Sequence, residues 1–343
     1  MTQQGLITTA QALVAGDRGL LAMDESNGTC NKRFAALGIP QTEPMRRAYR
    51  QLLITTPGLG RCISGAILYD ETIRQHADNG RSFVSLLEEA GIVPGIKVDA
   101  GAKPLAGHPG ETVTEGLDGL RARLGEYAAI GAKFAKWRGV IRIGEGLPSW
   151  GCIDANAHAL ARYAALCQEA GIVPVVEPEV LMEGDHTLER CQRVTAEVLQ
   201  AVFDQLVSQR VILEAMLLKP NMVLAGAGCA AQPSVGEVAD ATVQCFLRVV
   251  PAAVPGIMFL SGGQEAKLAS ARLNAMHLRF GARLPWALGF SFSRAVQEPA
   301  LALWHGGDAN REAAQAALYH RADCNRAARR GLYDAVGDAP MAA

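Results

Sequence analysis

Lysine is scarce in this chain: of 33 basic residues only seven are lysines (Lys32, Lys97, Lys103, Lys133, Lys136, Lys219 and Lys267), and the other 26 are arginines. A guanidinium stays protonated and attacks nothing, whereas an amine that sheds its proton adds to carbonyls, so a lysine closing an apolar run invites a chemical reading. Lys219 closes the run AMLLKP. Partial desolvation there, with Lys136 and Arg138 as cationic neighbours, would move an amine from about 10.4 toward roughly 7 to 8. Such an amine adds to a ketone, forming a carbinolamine and then an iminium, an electron sink for the carbanion left when the adjacent carbon–carbon bond breaks. Loss of water needs a proton donor. Glu177 in the E-P-E run is the candidate, with Glu179 as its partner, and Asp24 is the candidate base for a substrate hydroxyl.

Two further sets suit anions. Ser261, Gly262 and Gly263 of FLSGGQEA precede a helical pattern, where backbone N–H groups can receive a phosphate, and Ser291 and Arg294 of FSFSR are placed to join them. Taken alone, S-G-G reads better as an ordinary turn. Ser26, Thr29, Lys32, Arg33 and Lys97 form a second set. Two anion sites flanking a lysine point to a bisphosphorylated ketose.

Other classes fit poorly. The seven histidines show no H-x-x-H or H-x-H spacing, so neither a metal nor any other cofactor is expected, and they read as surface or packing residues. With 33 basic against 34 acidic residues the net charge is -1, which gives no global attraction to nucleic acid or anionic lipid. The sequence holds no apolar run of the roughly 20 residues a membrane span needs. Its eight cysteines are scattered, without a C-x-x-C pair, as suits a reducing, cytoplasmic setting.

The elements that must position these residues are eight apolar runs: GLLAMDES, CISGAILYDE, GIVPGIKVD, KFAKWRGVI, GIVPVVEPE, AMLLKPN, GIMFLSGG and WALGFSFSR. Helical patterns separate most of them, at 117–130, 156–170, 187–207, 238–249 and 265–280. The expected fold is therefore α/β, a single (β/α)₈ TIM barrel over 1–343, with extra helices at 1–17 and 312–328 and a mobile C-terminal tail at 331–343. An open doubly wound sheet is the alternative, weakened by the lack of a G-x-G-x-x-G after the first strand. Barrel active sites lie at the carboxyl ends of the strands, and five of the eight runs end in ionisable groups. Side chains two apart share a strand face, so Lys97/Asp99, Lys136/Arg138 and Glu177/Glu179 converge if that face is the barrel axis. Each charge could instead merely cap its strand at the solvent boundary.

The ordered motifs LAMDES, GIKVD, PLAG-x-x-GET, GLDGL, FAKWR, ARYA, GIVPVVEPE, LLKPNMV, FLSGGQ and WAL-x-FS-x-x-R make the chain resemble class I fructose-bisphosphate aldolase from about Leu20 to about Tyr333. The resemblance implies a metal-independent, cytoplasmic enzyme of glycolysis and gluconeogenesis, a homotetramer, that reversibly cleaves fructose 1,6-bisphosphate to dihydroxyacetone phosphate and glyceraldehyde 3-phosphate. It implies that Lys219 is the Schiff-base lysine, Glu177 the general acid/base followed by Glu179, and Asp24 the group assisting hydroxyl deprotonation. Lys136 and Arg138 match the charged pair steering proton transfers and substrate. Ser261, Gly262 and Arg294 would meet the phosphate nearer the ketone; Ser26, Thr29 and Lys97, with Lys32 and Arg33 close by, would meet the far one. The chain departs from animal members in lacking a C-terminal tyrosine, Tyr333 being its nearest, and in carrying Thr29 for serine and Ser293 for glycine. Rival readings are an aldolase for a monophosphate or another ketose epimer, and a scaffold with an aldolase-like barrel.

Overall fold

The computed structural model describes residues 2–338. Eight parallel strands close a barrel: β1 (Gly19–Ala22), β2 (Ile63–Leu68), β3 (Val93–Lys97), β6 (Phe134–Ile141), β7 (Val173–Val180), β8 (Leu217–Leu218), β9 (Gly256–Phe259) and β10 (Ala287–Phe292), with β10 returning to β1. An antiparallel hairpin, β4 (Ala102–Pro104) with β5 (Thr112–Thr114), stands between β3 and β6, its first strand exposed and its second half-buried. All eight expected strands form, and the closed ring excludes the open sheet.

The helices are α1 (Gln3–Val14), α2 (Asn27–Ala35), α3 (Glu43–Ile54), α4 (Asp70–Ile73), α5 (Phe83–Glu89), α6 (Leu120–Ile130), α7 (Trp150–Glu169), α8 (Leu188–Ser208), α9 (Val235–Val249), α10 (Ala266–Phe280), α11 (Arg294–Trp304) and α12 (Arg311–Arg329). The seven helices expected from sequence all form, α7 starting six residues earlier than its pattern, and five more, α2, α3, α4, α5 and α11, were not expected. Many begin at side-chain caps: Thr42, Ser82, Ser149 and Thr187 each accept a first-turn amide, and Ser234 with Glu237 forms a capping box that starts α9. Among the described residues no helix is long and apolar enough to cross a membrane.

Strand alternation divides the core in two. Leu20, Ala22, Ile67, Phe134, Val173, Val175, Leu217 and Met258 fill the barrel interior, and Leu6, Ala10, Leu13 and Val14 of α1 plug its floor. Leu21, Ala135, Trp137, Val176 and Leu218 point outward into the layer shared with the helices. Close approach inside the barrel demands glycine at position 95, where a Cβ would stand 2.3 Å from the Phe134 ring. Continuing each inward row by two residues leads from Leu20 and Ala22 to Asp24, from Phe134 to Lys136 and Arg138, from Val175 to Glu177 and Glu179, and from Leu217 to Lys219. The apolar filling gives way to charge at one end of the barrel.

Part of the expected mobile tail, 331–338, is described, and Asp338 lies in it. That side chain is buried and receives hydrogen bonds from the Tyr333 hydroxyl and Arg321, so the chain folds back on α12. The remainder of that expected tail, 339–343, lies outside the described residues.

Candidate active site

β8 has only two residues, yet Lys219 is held firmly: its amide donates to the Val176 carbonyl at 2.8 Å, and Pro220 follows. The side chain is buried, with Nζ 3.2 Å from Oε1 of Glu177. The other Glu177 oxygen lies 3.1 Å from Nζ of Lys136, which is 2.8 Å from Oδ2 of Asp24. The four groups form a chain of alternating charge, Asp24–Lys136–Glu177–Lys219, across β1, β6, β7 and β8. Burial disfavours each charge, and mutual pairing offsets it.

The titration shifts follow. Burial opposes the Asp24 anion, but Lys136, Lys219 and Lys97 outweigh it and pull its carboxyl down to about 2. Burial likewise opposes the Glu177 anion, and Lys136, Lys219 and Arg138 still hold its pKa below the ordinary carboxylate range. Lys136 is raised above an ordinary lysine because Asp24, Glu177 and Asp99 overcome its desolvation. Glu179 is paired with Arg138 rather than with Glu177.

A cavity of about 380 Å³ opens at the Asp24–Lys136 end of this chain of charges, lined also by Ser26, Thr29, Lys97 and Arg138. Ser26 caps α2: its hydroxyl accepts the Thr29 amide and lies 3.1 Å from the Thr29 hydroxyl. Lys97 is 2.6 Å from Asp99, so its ammonium is anchored at the cavity wall.

The second anion set also assembles, in a form the sequence did not specify. Ser261 is buried, and Gly262 and Gly263 adopt φ of 58° and 90°, the left-handed region that glycine tolerates. A Cβ on Gly263 would lie 3.3 Å from Nη2 of Arg294, which places that guanidinium against the glycine turn. The following helix is not an open anion receptor, because the Glu265 carboxylate already accepts the amides of Lys267 and Leu268. The glycine turn and Arg294, rather than the tip of α10, remain to receive an anion. Ser291 is buried on β10, and its hydroxyl has no partner among the described residues.

Two expected ligands stand apart. Arg33 is committed to Glu25 at 2.6 Å. Lys32, exposed on α2, forms no ion pair among the described residues. Sequence reasoning missed the network that claims Arg33: Glu25 also pairs with Arg50 at 2.8 Å, accepts the Ser293 hydroxyl at 2.8 Å, and meets Gln297. Ser293 therefore turns its extra hydroxyl toward Glu25. Tyr69 was missed as well; it lines the cavity just past the end of β2, where burial raises its phenol. The only signal for it was its place at the end of an apolar run.

A sequence model of the family described as "Glycolytic: Fructose-bisphosphate aldolase class-I" matches residues 5–343. The chain is 59% identical over 304 residues to a "Probable fructose-bisphosphate aldolase class 1" of Xanthomonas campestris, covering 89% of this chain and 90% of that one. It is 48% identical over 337 residues to "Fructose-bisphosphate aldolase 6, cytosolic" of Arabidopsis thaliana, covering 98% and 93%. Among solved structures, the fructose-bisphosphate aldolase of Plasmodium falciparum, crystallised with TRAP and a small-molecule inhibitor, superimposes with a TM-score of 0.95 at 45% identity, covering 96% of this chain and 95% of that one.

Proposed function

The chain belongs to the class I fructose-bisphosphate aldolase family, the Schiff-base lyases of glycolysis, and on that premise we propose that Lys219 is the residue that forms the imine, served by Glu177, Asp24 and Lys136. One observation carries the assignment: of the two buried lysines at the mouth of the barrel, Lys136 is held between two carboxylates, whereas Lys219 meets Glu177 alone among the described residues.

The proton inventory dictates the sequence of steps. Glu177 begins as an anion, so it first takes a proton from the Lys219 ammonium, and the freed amine adds to the ketone carbonyl. The same proton then passes from Glu177 to the carbinolamine hydroxyl, which leaves as water. The resulting iminium accepts the bonding pair of the adjacent carbon–carbon bond. As that bond breaks, the neighbouring hydroxyl becomes a protonated aldehyde and its acidity rises steeply, so even a carboxylate as weakly basic as Asp24 can take the proton. Lys136, ion-paired with both Asp24 and Glu177, stabilises each while it is anionic.

Substrate is held at both ends in this reading. Arg294, the glycine turn 261–263 and Ser291 bind the phosphate beside the ketone; Lys97, Ser26 and Thr29 bind the far one, with Arg138 and Glu179 along the wall. Arg33 positions Glu25 instead of touching substrate. We further infer a cytoplasmic homotetramer built from one barrel domain per chain, a reading supported by family resemblance and by the exposed apolar side chains Trp150, Val207 and Leu278. Light scattering that returns a monomer mass would oppose the assembly. Turnover of fructose 1,6-bisphosphate should exceed that of fructose 1-phosphate and tagatose 1,6-bisphosphate. A preference for either of the others would replace the substrate assignment while leaving the imine chemistry in place.

A further inference from the structure

Away from the barrel mouth, the turn of α12 nearest the C-terminal segment gathers another set of reactive side chains. His320 and Cys324 lie one helical turn apart, so both project from the same face. The chain then doubles back and brings Asp338 against them. Nε2 of His320 is 2.9 Å from Oδ1 of Asp338 and 3.6 Å from Sγ of Cys324. All three ligand atoms fall within 4.8 Å of one another.

Those separations suit a tetrahedral metal ion. An ion 2.0–2.1 Å from an imidazole nitrogen and 2.3 Å from a sulfur, at a tetrahedral angle, holds the two atoms about 3.6 Å apart, which the helix already supplies. To take a third corner the carboxylate oxygen withdraws by about 0.4 Å from the imidazole nitrogen and settles about 3.6 Å from the sulfur, from which it now lies no more than 4.8 Å. Its other oxygen is fixed independently, by the Tyr333 hydroxyl at 2.7 Å and by Arg321, the kind of outer support that orients a ligating carboxylate. His320, Arg321 and Asp338 also border a groove of about 380 Å³ beside Ala302 and Leu303, which leaves a route for the ion and room for a water as fourth ligand. A thiolate with an imidazole selects zinc over magnesium or calcium.

We propose that His320, Cys324 and Asp338 form a site for zinc, or another thiophilic divalent cation, that ties the 331–338 segment to α12. Cys324 coordinates as thiolate, its thiol proton passing to solvent, and His320 coordinates through a neutral imidazole nitrogen. The site uses none of the groups assigned to the aldol reaction.

The test is a titration of the full-length, reduced, chelator-treated protein with cobalt(II), read by absorbance. One equivalent should produce intense visible d–d bands and a near-ultraviolet sulfur-to-cobalt charge-transfer band, both abolished by stoichiometric zinc. C324S should lose the charge-transfer band, and D338N and H320Q should weaken cobalt binding at least tenfold, with the far-ultraviolet circular dichroism of all three unchanged. Because His320 is partly exposed, H320Q serves as the variant least able to disturb folding. Absence of the bands at saturating cobalt, or a charge-transfer band that persists in C324S, overturns the proposal.

Discussion

The Nζ of Lys219 lies 3.2 Å from Oε1 of Glu177, on the neighbouring strand. Glu177 is thereby the one carboxylate touching the amine among the described residues, and in the proposed mechanism it takes that amine's proton before the addition starts. Glu177→Gln keeps the side chain's size but cannot carry a proton. It should lower kcat by about 10²- to 10⁴-fold with little change in KM, measured by steady-state cleavage of fructose 1,6-bisphosphate. A variant within threefold of the parent would remove Glu177 from the proton path.

Lys97 and Arg294 stand on opposite sides of the amine and are assigned different phosphates. Loss of a charge-assisted hydrogen bond costs about 1.5–3 kcal/mol, or roughly 10- to 150-fold in affinity. Arg294→Ala should raise KM by that factor for both fructose 1,6-bisphosphate and fructose 1-phosphate. Lys97→Met should raise it for the bisphosphate alone. Parallel losses on both substrates in Lys97→Met would put Lys97 on the wrong phosphate.

Acid stability should carry the mark of Asp24. Its folded pKa of about 2 lies below the ordinary aspartate value of 3.8, so its stabilising contribution is complete above about pH 4 and is lost as the pH falls toward 2. The unfolded chain binds the proton more tightly, so stability falls with falling pH across that window, by an order of 1 kcal/mol at pH 3 from this group. Urea unfolding at pH 5, 4 and 3 should show a shallower decline in Asp24→Asn, although that variant starts less stable because Lys136 loses a buried partner. Equal slopes would contradict the pairing.

Tyr333 is the tyrosine nearest the C-terminus, and its hydroxyl is spent on Asp338. It should therefore take no part in protonating the enamine. Tyr333→Phe is expected to exchange the enamine-derived proton of dihydroxyacetone phosphate with solvent at the parental rate, followed by nuclear magnetic resonance in deuterium oxide. A tenfold slower exchange with unchanged cleavage would show that the tail reaches the site after all.

The barrel and its charged mouth were legible because a period of two is written into each strand: Val173, Val175, Glu177 and Glu179 form one inward row, apolar below and ionised above. Lys219 was legible for a related reason, since Leu217 sets the direction of its row. The hairpin at 102–104 and 112–114 was not, because three-residue strands, AKP and TVT, are too short to carry an apolar period. The Glu25 partner of Arg33 was not legible because nothing local in α2 says that its guanidinium turns there; Arg50 and Gln297, which complete that network, come from helices α3 and α11. The Glu265 carboxylate that blocks the α10 amides illustrates the same limit, since a glycine-rich turn before a helix looks alike whether or not its cap is occupied.

Identifying which lysine holds the substrate tests the account most directly. Dihydroxyacetone phosphate with borohydride should inactivate the protein by reducing an imine, and peptide mass mapping should place the adduct on Lys219, whereas Lys219→Arg should form no adduct while keeping its fold. Recovery of the label on Lys97 or Lys136, or undiminished labelling of Lys219→Arg, would contradict it.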